Sequence, residues 1–407
     1  MKVDADAAGM DAERLARIDE HLRRRYLEPG KIAGCQVAVL RRGSLAHFSS
    51  LGYADRERQV PVRDDTIWRI YSMTKPVTGV ALMTLYERGM FQLTDPVSRF
   101  IPEWAGLKVA EGARNGAPQL VDPIRPMNVR DLMMHMSGIG YGPENADLDP
   151  ALIGGRNRAP SLLDADLETM VRRLASTPLR FHPGAHWLYS LGIDVCGRLV
   201  EVLSGRRFDE FLSSEIFGPL GMDDTGFHVP EVDAHRFAAS YARNSRKELI
   251  LVDDPAASSY LHPPRFLSGG GGLVSTTTDY LRFCQMLLGR GELEGRRVLG
   301  SKTVELMTLN HLPGGGELGD FALSGGYGEV GFDGMGLGLT MAVNGGPVAS
   351  GVIGSKGEYS WGGAASTIFW VDPAEELIVV FMTQLLPSGA FNFRGQLKTL
   401  VYPAIVD

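Results

Sequence analysis

The chain has 407 residues, 44% of them hydrophobic, enough to bury a large core and to form two or three folding units. Its formal charge of -7, from 41 basic and 48 acidic residues, leaves no basic surplus to pair with phosphates and argues against nucleic acid as a partner. No apolar run approaches the roughly 18 residues of a membrane span, and the acidic start Met1-Lys2-Val3-Asp4-Ala5-Asp6 differs from a secretory signal, so a cytoplasmic protein without membrane partners is expected.

In chain order, Leu15, Ile18, Leu22 and Tyr26 fall at helical spacing after Asp11, which predicts a capped amphipathic helix over residues 11 to 27. Cys35 to Leu40 and Leu45 to Leu51 read as a hairpin closed around Arg41-Arg42-Gly43-Ser44, so the sheet starts antiparallel. A strand over Ile67 to Tyr71 leads into an apolar helix running to about Arg88, stopped by Gly89. Thr94-Asp95-Pro96 opens a short helix, and residues 128 to 136, 164 to 176, 190 to 203 and 207 to 217 all show helical periodicity. The long loop from Ser137 to Pro160 has few apolar anchors and is expected to wall or cover a cleft.

Strand character returns after the glycine run Gly269 to Gly272, interrupted by helices at 278 to 288 and about 302 to 309. Ala364 to Val371 and Leu377 to Thr383 flank Asp372-Pro373-Ala374-Glu375-Glu376 as a second hairpin, and a helix over roughly 391 to 401 ends the chain. The expected fold is α/β (α+β): one antiparallel sheet built from both chain ends and flanked by helices, divided as residues 1–90, an inserted mainly helical domain over 91–268, and residues 269–407. Cys35, Cys196 and Cys284, odd in number and widely spaced, read as reduced core thiols rather than a disulfide framework.

The stretch with chemistry in it is Tyr71-Ser72-Met73-Thr74-Lys75-Pro76. A serine and a lysine three positions apart at a helix start share a face, and a desolvated lysine can lose its charge and take the serine's proton. N–H groups of a helical first turn can stabilise an oxyanion, and Pro76 fits where the backbone lacks partners in any case. By itself the spacing also describes a capping serine beside a surface lysine. Its setting raises it: no other lysine follows a serine at this interval, and this one sits where strand meets helix.

Two further stretches complete a pattern. Tyr189-Ser190-Leu191 heads a predicted helix after the Pro183-Gly184 turn, and Trp361-Gly362-Gly363 starts a predicted strand. With Ser72-x-x-Lys75, in this order, the chain resembles the serine hydrolases of the class C β-lactamase and penicillin-binding-protein superfamily, especially the family VIII carboxylesterases built on that fold. Asp131-Leu132-Met133-Met134-His135-Met136-Ser137-Gly138 and the stretch Gly271 to Tyr280 are similar too, so the resemblance spans nearly the whole length.

The resemblance implies Ser72 as nucleophile, Lys75 and Tyr189 as a coupled general base and acid, and the N–H groups of Ser72 and Ala364 as oxyanion donors. It implies no cofactor and no metal. Trp361 stands where the lactamases have a lysine, and Leu191 where they have an asparagine. The first change removes a cation for a substrate carboxylate and substitutes an apolar wall. The second removes an amide-binding group. With Gly362 and Gly363 letting a substrate approach the strand, the expected partner is a small, short-chain acyl ester.

Alternatives are a class C-type β-lactamase or D-alanyl-D-alanine peptidase, an acyltransferase of the same fold, and, more remotely, a non-catalytic ligand-binding protein. No Gly-x-Ser-x-Gly occurs, which argues against an α/β-hydrolase nucleophile elbow. The glycine run lacks a following Gly-Lys-Ser/Thr, and Pro183-Gly184 breaks any helix that would align His182 with His186 on a metal.

Overall fold

The computed structural model describes residues 2–114, 117–140, 165–323 and 327–406. From residue 141 to 160 the expected cleft loop lies outside the described residues.

Asp11 accepts hydrogen bonds from the N–H groups of Glu13 and Arg14, capping the helix Ala12–Leu22, whose buried stripe is Leu15, Ile18 and Leu22. The first hairpin forms as Gly34–Arg41 and Ser44–Asp55, turned at Arg42 and Gly43, both at positive φ. Gly34–Arg41 then pairs antiparallel with Leu377–Thr383, joining the two chain ends in register from Cys35 opposite Thr383 to Arg41 opposite Leu377.

Among the described residues the largest sheet has eight strands, in the order Met335–Leu337, Ala342–Asn344, Tyr359–Gly363, Thr367–Asp372, Leu377–Thr383, Gly34–Arg41, Ser44–Asp55 and Val60–Pro61, every pairing antiparallel. Side chains alternate between its faces. Val37, Val39, Ile368 and Trp370 pack with the helices Ala12–Leu22 and Phe393–Val401, while Ala38, Leu40, Trp361, Phe369 and Val371 pack with Thr74–Glu87 and Thr277–Leu288. The helix Thr74–Glu87 is buried on every side from Thr74 to Leu85, which suits its nearly unbroken apolar sequence. Cys35, Cys196 and Cys284 are free and buried.

The structure corrects several boundaries. The strand before Ser72 ends at Arg69 and pairs with Val274–Thr276 outside the large sheet; Tyr71 instead enters a 3₁₀ turn at φ +42°. The middle of the chain holds the helices Val129–Met133, Leu167–Leu174, Gly192–Ser204 and Phe208–Leu212, but also strands that the helical reading missed. Val109–Arg114 pairs with Ala117–Val121, and Ser240–Arg243 with Leu249–Asp253, where Ile250 and Val252 stay exposed and so give no buried-face signal. Trp361-Gly362-Gly363 ends a strand, Tyr359–Gly363, rather than starting one, because Ala364, Ala365 and Ser366 form the tight loop of a hairpin. Ser366, at φ +66°, donates its N–H to the Gly363 carbonyl, and the next strand begins only at Thr367.

Arg69 holds the strand leading to the serine. Fully buried, it contacts Asp253 at 2.7 Å, the Ala238 carbonyl and Ser258 Oγ, with its guanidinium 3.9 Å from the centroid of the Phe237 ring. Asp253 is 26% exposed, so the loss in Arg69→Ala comes mainly from the buried Ala238 carbonyl and Ser258 hydroxyl left without their partner and from the cavity, about 2–4 kcal/mol in urea unfolding. A loss under ~1 kcal/mol would show that Arg69 does not hold this strand.

Candidate active site

Ser72 occupies the 3₁₀ turn Tyr71–Met73 that runs directly into the helix Thr74–Glu87. The left-handed backbone at Tyr71 is costly for a residue with a Cβ, and its neighbours hold it in place. Ile70 donates its N–H to the Leu273 carbonyl and accepts the Thr367 hydroxyl, while the Tyr280 hydroxyl donates to the Met73 carbonyl. The serine is therefore fixed by the glycine-run strand, the sheet hairpin and the Thr277–Leu288 helix together.

One helical turn on, the Lys75 amine is 3.1 Å from Ser72 Oγ and donates to the Gly270 carbonyl at 2.7 Å. The lysine is 1% exposed, and burial pulls its ammonium down to about 8, against the opposing pull of Asp194 and then Glu329. At pH 7 about a tenth of this amine is therefore uncharged, against less than about one part in a thousand for an exposed lysine.

Tyr189 joins from the segment before the Gly192–Ser204 helix. The Lys75 amine lies over its ring, 4.4 Å from the centroid, so the phenol's π-face and the cation interact. Other rings box the tyrosine in: His135 at 4.7 Å, Tyr327 at 5.7 Å and Trp361 at 6.0 Å between centroids. His135 is buried with its Nδ1 3.1 Å from Ser190 Oγ, and burial, helped by Lys75, holds its imidazole neutral far below the usual histidine range.

The remaining expected residues take different places. Trp361 is buried with its ring toward Tyr189, and its carbonyl accepts the Arg394 guanidinium at 3.0 Å. Ala364 packs with Tyr71, Ala365 and Leu386, which sets the hairpin loop directly against the serine's turn. Leu191 is in the core at the head of the Gly192–Ser204 helix. Both glycines sit where a Cβ would meet protein: at Gly363 it would lie 2.4 Å from the Ile70 carbonyl oxygen, and at Gly362 3.3 Å from the Arg394 guanidinium. The close approach that Gly363 permits is thus between the strand and the turn carrying Ser72, whereas Gly362 lies against Arg394 and Glu329 on the other face. A cavity of about 410 Å³ on the Gly362 face is lined by Ser360, Arg394 and Glu329 but not by Ser72, Lys75 or Tyr189.

Sequence reasoning missed three contributors. Gly270 offers only a carbonyl, for which no side-chain signal exists. Asp194 could have been found as the single acid within the apolar run from Leu191 to Val200. Glu329 lies in a stretch without periodicity; burial pushes its carboxyl up, opposed by Tyr327, Ser388 and Lys75, and Tyr327 donates to Oε1 at 2.7 Å.

The tightness at Gly363 has a measurable consequence. Gly363→Ala places a methyl against backbone that cannot move without shifting Ser72, so it should cost about 1–3 kcal/mol of stability. The same variant should slow phosphonate labelling of the protein at least about tenfold, a rate that unaltered geometry would leave untouched.

Residues 20–401 match the Beta-lactamase family. Protein Rv1367c of Mycobacterium tuberculosis (strain ATCC 25618 / H37Rv) is 34% identical over 368 residues, 90% of this chain and 89% of its own. Esterase EstB of Burkholderia gladioli is 31% identical over 400 residues, 94% of this chain and 93% of its own. Among solved structures, EstCE1, a hydrolase with promiscuous acyltransferase activity, superposes with a TM-score of 0.77 at 26% identity, covering 97% of this chain and 99% of its own. With this family match over almost the entire length and esterases among its relatives, the chain belongs to the β-lactamase family as a serine hydrolase of the family VIII carboxylesterase kind.

Proposed function

We propose that the protein is a carboxylesterase that hydrolyses small, short-chain acyl esters through an acyl-enzyme on Ser72. One observation carries the reading: a fully buried amine, drawn down to about 8, stands 3.1 Å from a serine hydroxyl that a strained turn holds in place. Ser72 Oγ forms a bond to the acyl carbon as its proton passes to the Lys75 and Tyr189 pair. The N–H groups of Ser72 and Ala364 bind the oxyanion, and the ester C–O bond breaks with the proton delivered to the departing alcohol. Water then attacks the acyl-enzyme by the same route and releases the acid.

The absence of a lysine at position 361 and of an asparagine at 191 supports esters over lactams, since neither a carboxylate cation nor an amide clamp is offered at those places. Trp361, an apolar side chain beside Tyr189 where the lactamases carry a lysine, supports a neutral, apolar acyl group. Acyl transfer to an alcohol in place of water is the second reading, favoured by the promiscuous acyltransferase activity of the similar hydrolase EstCE1.

Ser72→Ala should lower p-nitrophenyl butyrate hydrolysis by at least about 10³-fold while leaving the fold intact by circular dichroism. Undiminished hydrolysis would remove Ser72 from the reaction. Because the amine must be uncharged to accept a proton, kcat/KM should rise with pH along a limb centred near the Lys75 value of about 8. In Lys75→Met that limb should vanish along with most of the rate. A chromogenic cephalosporin cleaved faster than the ester would favour a lactamase, and turnover accelerated by added alcohol would favour acyl transfer.

A further inference from the structure

Asp194 stands in the first turn of the Gly192–Ser204 helix, five residues after Tyr189 and 2% exposed. Its Oδ1 accepts the Ser268 hydroxyl at 2.5 Å and the Gly270 N–H at 3.0 Å. The same glycine run holds the active lysine's helix: the Gly270 carbonyl accepts the Lys75 amine at 2.7 Å, and the Gly269 carbonyl accepts the Thr78 hydroxyl at 2.7 Å. The Gly269–Gly270 peptide is thus pinned by Asp194 at its N–H and by Thr78 at its carbonyl, and the carbonyl of the next peptide holds Lys75.

The fit leaves no room for side chains. A Cβ at Gly269 would meet the Ile193 carbonyl at 2.7 Å, and one at Gly270 would meet Asp194 Oδ2 at 2.6 Å. The glycines let the run close onto the start of the Gly192–Ser204 helix, which brings the carboxylate within reach of the peptide. Such a buried acid is costly unless its oxygens are hydrogen-bonded and a cation faces it. The cation whose charge acts on Asp194 is Lys75.

We infer that Asp194 is a positioning residue of the reaction: through the Gly269–Gly270 peptide it fixes the carbonyl that holds the Lys75 amine. Burial raises the Asp194 carboxyl and Lys75 opposes that rise, so the two charges act on one another across the same peptide. It touches neither the serine nor the acyl group, and acts through the lysine. The inference rests on the reading of Lys75 as the base for Ser72.

The groups that share this field can be named. Lys75 is faced by Asp194 from the Gly192–Ser204 helix, by Glu329 from the segment after Tyr327, by the neutral His135 and by the Tyr189 ring. Asp194 in turn is faced by Lys75 and Ser268, and it adds to the upward push of burial on the Cys196 thiol. Of these, Glu329 is the other acid whose charge opposes the loss of the lysine's proton.

Asp194→Asn separates charge from geometry, because the amide oxygen still accepts from Ser268 and Gly270. The alkaline-rising limb of kcat/KM for p-nitrophenyl butyrate should move down by about 0.5–1 pH unit, with KM within about twofold of the parent. A folded variant whose limb stays within about 0.2 unit of the parent overturns the proposal, since a merely structural acid would alter rate or stability without moving that limb. Should the variant not fold, Ser268→Ala provides the test. It frees one of the carboxylate's anchors but leaves the charge, so kcat should fall at least about threefold with the limb in place, and an unchanged kcat overturns the proposal. Ser72→Ala run in the same series keeps the two readings apart. If it hydrolyses the ester like the parent, the esterase reading fails, whereas loss in Ser72→Ala with no shift in Asp194→Asn rejects the positioning role alone.

Discussion

The whole arrangement depends on an amine buried where it cannot be hydrated. A lysine in the first turn of an exposed helix would keep its proton and pair with nothing in particular. Here the Thr74–Glu87 helix is enclosed on every side from Thr74 to Leu85, and the Lys75 amine touches a carbonyl, a hydroxyl and an aromatic face. Desolvation weakens its hold on the proton, and two acids prevent that weakening from going too far. Burial of an apolar helix, an ordinary act of folding, thereby becomes a condition of the proposed chemistry.

The sheet serves the same end from the other side. Its two halves come from opposite ends of the chain and join along Gly34–Arg41 and Leu377–Thr383. That junction positions the hairpin Tyr359–Gly363 to Thr367–Asp372, whose tight loop packs Ala364 on Tyr71. Because the side chains of a strand alternate, Trp361 and Gly363 face the serine while Ser360 and Gly362 line a cavity on the other side. Arg394 ties the two sides together at the Trp361 carbonyl. The backbone strain at Tyr71 is tolerated because hydrogen bonds from three separate elements converge around it.

Much of this was legible in the residues. The serine and lysine are three positions apart, so their meeting is a local property of a helix start and survives without any knowledge of the fold. The apolar helix, the capped first helix and the two hairpins also follow from periodicity and turn residues. Tyr189 and the Trp361-Gly362-Gly363 stretch became visible through resemblance alone, since nothing local ties residues more than a hundred positions from Ser72 to it. The strand boundary at Gly363 is hidden from the sequence for a related reason. Periodicity cannot tell a strand end from a strand start when the next residues, Ala364 and Ala365, are small and buried in either case.

From its residue order alone, the chain determines a serine–lysine turn, the helix behind it, an antiparallel sheet built from both chain ends, and membership in a family of serine hydrolases. Only the folded structure decides that the Gly270 carbonyl holds the amine, that Asp194 anchors that glycine run, that Glu329 lends a distant charge, and that the two strand glycines serve protein packing. Local spacing dictates which side chains share a helix face. Desolvation, charge and the approach of one backbone close enough to exclude a Cβ arise between segments far apart in the chain, and they exist only once the core has formed.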